Sequence, residues 1–170
     1  MKKLILINGT MGAGKTTTCQ ELLKLLQPCV FLDGDWCWNM NPFIVNEETK
    51  QIVVKNISFM LNNFIACSEF EYIIFCWVMQ EEAIIRNLLK NLHLTDTKVY
   101  KFTLAVSKEA LAQRLNKDIF IGKRKPDVLQ RSIEKIPLYI NMDTIHIDVS
   151  NISQVGAARL IFNSISKPAL

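Results

Sequence analysis

"LILINGTMGAGKTTTCQELLKLL", residues 4–26, joins an oily run to a helical pattern through a segment holding Gly9, Gly12 and Gly14. The apolar residues before it are continuous, as in a strand buried on both faces. After it, Cys19, Leu22, Leu23 and Leu26 fall at i, i+3, i+4 and i+7, the spacing of a helix face. Residues 9–16, "GTMGAGKT", match GxxxxGK[ST] at all four fixed positions, and they lie where the motif has meaning, between a strand and a helix. Glycines let the backbone turn with positive φ and approach a ligand without a Cβ in the way. The amides of Gly9, Thr10, Met11, Gly12, Ala13 and Gly14, with the unpaired N–H groups of the following helix, then form a nest for oxyanions. Lys15 is placed to reach the outer phosphates, the Thr16 hydroxyl suits Mg2+, and Thr17 suits the inner phosphate. A glycine-rich turn capped by a surface lysine is the plainer alternative. The motif specifies a nucleoside triphosphate and leaves the reaction open.

Outward from this loop, apolar runs rich in β-branched and aromatic residues predict strands over 3–8, 30–33, 71–78, 98–106 and 144–149. Helical patterns separate them. Val53, Ile57, Met60, Leu61 and Phe64 mark one, Asn46 and Ser153 are candidate N-caps, and Pro28 is a stop for the first helix. Strands alternating with helices call for crossovers, and crossovers give a parallel sheet covered on both faces. A chain of 170 residues suits one domain, since that length buries about 70% of the unfolded surface.

Five cysteines, without CxxC spacing or paired histidines nearby, suggest neither a disulfide framework nor a zinc site, and a reducing cytoplasm is the expected setting. No apolar run approaches the ~18 residues of a membrane span. The formal net charge is +4, and residues 114–135, with seven basic and three acidic side chains, account for all of it. So local a field favours one anionic ligand over a surface that coats nucleic acid. Within that window, "DIFIGKRKPD", residues 118–127, is the least regular segment and is expected to be a mobile loop.

"GTMGAGKTTT" followed by "FLDGDWCW" resembles the small P-loop kinases of the nucleoside, shikimate, gluconate and adenylylsulfate type, and is similar to tunicamycin-resistance proteins and chloramphenicol phosphotransferases. The resemblance implies a three-layer α/β P-loop NTPase fold across residues 1–170, with a five-stranded parallel sheet in the order 2-3-1-4-5 and a lid near 118–127. It implies ATP and Mg2+, and a small-molecule acceptor that offers a hydroxyl. Asp33 is assigned to the Mg2+ shell and Asp35 to the acceptor proton, although Asp-Gly-Asp also reads as a strand-ending turn. Arg114 corresponds to the arginine that packs on adenine or meets phosphate. Arg124 and Arg131 are lid residues able to neutralise the migrating phosphoryl group, Arg124 foremost. Ser150 and Asn151 fall in the segment that borders the base, or form only a turn.

Departures from the family pattern are also visible. Strand three, "IIFCWV", lacks a terminal aspartate for Mg2+, which weakens a motor or switch reading more than a kinase one. Trp36, Trp38, Met40 and Phe43 follow Asp35, where an acceptor pocket or a packed helix would lie, and Trp77 is expected in the core, with a place at the cleft as the alternative. His93 and His146 are too isolated to suggest a metal or a catalytic dyad, and Cys76 reads as a small hydrophobe. Two other functions stay open from the residues: an ATP-binding regulatory module without useful turnover, and a kinase for polynucleotide ends. Oligomeric state and acceptor identity have no signature.

Overall fold

A computed structural model describes residues 1–166. Five strands, β1 (Lys2–Asn8), β2 (Cys29–Asp33), β3 (Tyr72–Cys76), β4 (Thr97–Ala105) and β5 (Ile145–Asp148), form one sheet in the order β2-β3-β1-β4-β5. Every pairing is parallel, with Ile5 opposite Ile74 and Ile7 opposite Phe102. This is the expected P-loop architecture, and it puts β1 at the centre. Central position explains the unbroken apolar run of Leu4, Ile5, Leu6 and Ile7, each no more than 1% exposed.

Alternation across β1 splits the core into two layers. Ile5 and Ile7, with Ile74, Cys76 and Phe102, pack on α1 (Lys15–Leu25), α4 (Lys108–Phe120) and α6 (Gln154–Ser166). Leu4 and Leu6, with Ile73, Phe75 and Leu32, pack on α2 (Glu47–Ala66) and α3 (Glu82–Lys90). Each fully buried Leu, Ile or Phe contributes about 1.5–3 kcal/mol from water exclusion. The predicted caps form: Asn46 accepts from the Thr49 amide in a capping box that opens α2, and the Ser153 hydroxyl accepts from the Gly156 amide at the start of α6.

Two boundaries differ from the sequence reading. Strand β3 ends at Cys76, so Trp77 and Val78 lie beyond it on the loop that crosses the top of the sheet. Helix α4 runs on through Phe120, because Leu111, Leu115 and Ile119 continue its buried stripe at i, i+4 and i+8. Residues 118–120 of the expected lid are therefore helical. The irregular part is 121–127, entered through Gly122 at φ 72 and closed by α5 (Val128–Glu134). Among the described residues, no helix is long and apolar enough to cross a membrane.

Candidate active site

Gly9 leaves β1 at φ 146, and a Cβ there would stand 2.9 Å from the Leu104 carbonyl oxygen, so only glycine lets the chain turn against β4. The loop closes on itself through the Ala13 amide, which donates to Thr10 O at 3.2 Å. Gly14 caps α1 in the left-handed conformation, aiming the first amides of the helix out of the cleft floor. The side chain of Thr10 turns away from the loop and donates to the Ser132 carbonyl at 2.9 Å, tying the loop to α5. Ala13 is buried against the core, whereas Met11, Thr16 and Thr17 face solvent.

Lys15 folds back over the loop, donating to Gly9 O at 2.9 Å and Thr10 O at 3.2 Å. Loss of hydration lowers its pKa, while the negative charges of Asp35 and Asp33 oppose the shift. Thr16 Oγ1 donates to Asp33 Oδ2 at 2.6 Å, and Asp33 Oδ1 accepts from the Asp35 amide at 3.0 Å. Asp33 is only 4% exposed, so these two donors hold its carboxylate at the end of β2. Asp35 is the outer member of the pair and reaches solvent at the cleft mouth. Crowding by protein and the neighbouring Asp33 charge still push its pKa up, against Lys15, Arg124 and the Trp77 indole N–H, which favour the charged form.

Gly34 joins the two aspartates. A Cβ on it would lie 2.6 Å from Trp77 Cγ, so the glycine gives the indole its seat. Trp77 is half-buried: it packs against the second core layer, as expected, and also walls the cavity beside the cleft. Its Nε1 is buried and, among the described residues, has no hydrogen-bond partner. The sequence signal was present in "CWV" at the end of β3, but an oily strand end reads as core until the loop beyond it is placed.

Arg124 is in the irregular segment, paired with Asp118 at 3.1 Å, and its charge is felt at Asp35. Arg131 pairs with Asp127 on the surface at 2.9 Å. Arg114 donates to the carbonyls of Ala13, at 3.3 Å, and Val149, binding the phosphate loop to the end of β5; burial lowers its pKa. Ser150 is held in the same corner, its amide on Asp148 and its hydroxyl accepting from the Ser107 amide, while the neighbouring Asn151 is exposed. Of the aromatic segment, Trp38 packs against Phe43 at 5.8 Å between centroids, and Trp36 lies over Phe31 at 5.3 Å with its indole largely exposed.

One contributor carries no sequence signature. Asn8, buried just before the loop, donates to the Met79 carbonyl and accepts from Thr103 Oγ1 at 2.6 Å. Thr103 in turn meets Thr144 at 2.6 Å. This network anchors the exit of β1 to β4 and to the loop after β3, fixing the platform from which Gly9 turns.

The AAA domain family model matches residues 5–133, a span that includes the phosphate loop, Asp33, Asp35 and the irregular segment 121–127. The chain belongs to the AAA domain family. Its solved neighbours are P-loop kinases and their relatives. The shikimate kinase of Acinetobacter baumannii, solved with shikimate, is 22% identical, with a TM-score of 0.65 over 97% of this chain and 93% of that one. The APS kinase of Mycobacterium tuberculosis, solved with AMPPNP and APS, is 13% identical, with a TM-score of 0.65 over 98% of each chain. The tunicamycin resistance protein of Deinococcus radiodurans is 18% identical, with a TM-score of 0.65 over 99% and 98%. No curated relative matches by sequence. For this AAA domain, identities so low establish the shared fold, while chemistry has to be argued from the cleft.

Proposed function

We propose that the protein transfers the γ-phosphoryl group of ATP to a hydroxyl of a small molecule. One observation carries this reading: the Thr16–Asp33 hydrogen bond and the Lys15 ammonium lie at the mouth of α1, with Asp35 and Arg124 beside them. Loop amides and Lys15 grip the triphosphate tail. Lys15 exchanges its present carbonyl partners for phosphate oxygens, which also relieves the loss of hydration that lowers its pKa.

An oxygen-only donor set of Thr16 and Asp33 fits a hard cation; these two residues would hold Mg2+, which would supply positive charge to offset the negative charge of the phosphates. Asp33 receives the Thr16 proton at 2.6 Å and so orients the threonine oxygen toward such a ligand. Asp35 accepts the proton of the acceptor hydroxyl as its oxygen bonds to the γ-phosphorus. The bond to the β–γ bridging oxygen breaks, and ADP leaves with the electron pair. A carboxylate with raised proton affinity suits that task, provided it is ionised when the acceptor arrives. Arg124 adds positive charge beside the migrating group, with a contribution of about 10³ or more in rate where such arginines act.

The test is a pair of variants measured with Mg2+ and AMPPNP by calorimetry, and with ATP by ADP release over a panel of hydroxyl acceptors. Lys15→Ala is expected to abolish transfer. Asp35→Asn should keep the nucleotide affinity and lose rate, and equal loss of both in this variant would remove Asp35 from the role of base.

A further inference from the structure

A trough opens beside the proposed base, and its walls name the kind of molecule it takes. A cavity of about 380 Å³ lies between α2, α3 and the turn after β2. Its walls are mainly apolar, including Trp38, Val54, Ile84 and Leu88 together with the face of Trp77, and no carboxylate lines it. Next to it lies a second cavity of about 510 Å³, which shares Lys50, Val54 and Asn87 as walls. That outer part is polar. Lys50 and Lys55 line it with one acid, Glu47, which is already paired to Lys50 at 2.7 Å, and the buried Ser58 hydroxyl there has no partner among the described residues.

From these walls we infer that the acceptor is an elongated, largely apolar alcohol with an anionic group remote from its hydroxyl, and that Trp77 sets both its seat and its orientation. The inference rests on the phosphotransfer reading, and it names the substrate class for the same site. Trp77 is the wall shared by the apolar cavity and the acidic pair: its ring sits on Gly34, and its buried N–H favours the charged form of Asp35. An acceptor hydroxyl seated against the indole ring would donate to Asp35, leaving a lone pair for the γ-phosphorus. Lys50, Gln80, Asn87 and Lys135 can meet only part of a polyhydroxylated sugar acid, and hydroxyls set against Val54, Ile84 and Leu88 would lose hydration without a partner. An apolar body loses nothing there, and the ammonium groups of Lys50 and Lys55 meet an anion at the far end.

The experiment uses the full chain and three probes. Hydroxymethyl-biphenyl-carboxylate and ω-hydroxydecanoate have the inferred shape, and gluconate carries the same charge on a polyol. Calorimetry is expected to give at least one apolar probe an affinity more than about tenfold above gluconate, with ADP release dependent on that probe. Val54→Glu should cost that affinity about tenfold or more, while AMPPNP binding with Mg2+ is retained. Trp77→Phe keeps the ring and removes the donor, so it should hold KM within about threefold and lower kcat about tenfold. Gluconate binding as tightly as both apolar probes, or Val54→Glu leaving probe affinity intact, would overturn the inference. Absence of AMPPNP binding in the wild-type chain would instead overturn the phosphotransfer reading, and probe binding would still report on the trough.

Discussion

The contact between Gly34 and Trp77 yields a perturbation whose size follows from distances. In Gly34→Ala the new methyl carbon would stand 2.6 Å from Trp77 Cγ, 2.7 Å from Cδ1 and 3.0 Å from Cβ. Gly34 is not among the residues with positive φ, so the alanine brings no backbone strain of its own. The whole cost is steric. To reach an ordinary contact the indole must retreat by about 0.8 Å, an overpacking defect worth about 1–3 kcal/mol. Removing a glycine from the unfolded ensemble returns about 0.4–1 kcal/mol, leaving a net loss of about 1–2 kcal/mol. The same change in a Trp77→Ala background meets neither Cγ nor Cδ1, so it should be neutral or slightly stabilising. Urea unfolding of the four proteins, followed by circular dichroism because a tryptophan is altered, gives the coupling energy directly. Equal cost of Gly34→Ala in both backgrounds would refute the claim that glycine is there to seat the indole.

Stability should also respond to Asp35. Its folded-state pKa is raised by crowding and by Asp33, so the folded protein holds that proton more tightly than the unfolded chain. Stability is then lost as pH rises from the ordinary carboxylate value through the raised one, and the penalty stays in full above it. Asp35→Asn is accordingly expected to be more stable than wild type near neutral pH, with the margin vanishing in acid, as denaturant midpoints at the two extremes would report. Thr16→Val removes the donor to Asp33 and the oxygen offered to Mg2+, so the tightening of AMPPNP by Mg2+ should fall about tenfold, with metal-free affinity little changed by calorimetry. Arg114→Ala cuts the stitch between Ala13 and Val149 and should weaken adenine nucleotide binding about tenfold, measured by the same titration.

Much of this was readable along the chain, for a reason visible in the loop itself. An anion nest is built from consecutive amides, and glycines at 9, 12 and 14 permit its positive-φ turns, so its presence is written in one short stretch. The sheet was equally legible. Continuous apolar runs such as residues 4–7 belong to strands covered on both faces, and helical stretches between them compel parallel crossovers. The strand order itself came from the family resemblance. The caps at Asn46 and Ser153 depended on residues three apart and were equally local.

Pairings across the fold were decided by tertiary structure alone. Nothing in "LDGDW" says that Gly34 must be small for a tryptophan more than forty residues later; β2 and β3 are sheet neighbours, and their adjacent ends bring Gly34 and Trp77 together. In the same way Asn8 meets Thr103 only because β4 lies beside β1. The lid boundary moved because burial of Ile119 against the core extends α4 past the point where charge and glycine suggested a break. Local chemistry dictated which ligand group the loop grips. The trough that would choose an acceptor is made by side chains on α2, α3 and the loop after β3, and their faces meet only when the sheet sets those elements side by side.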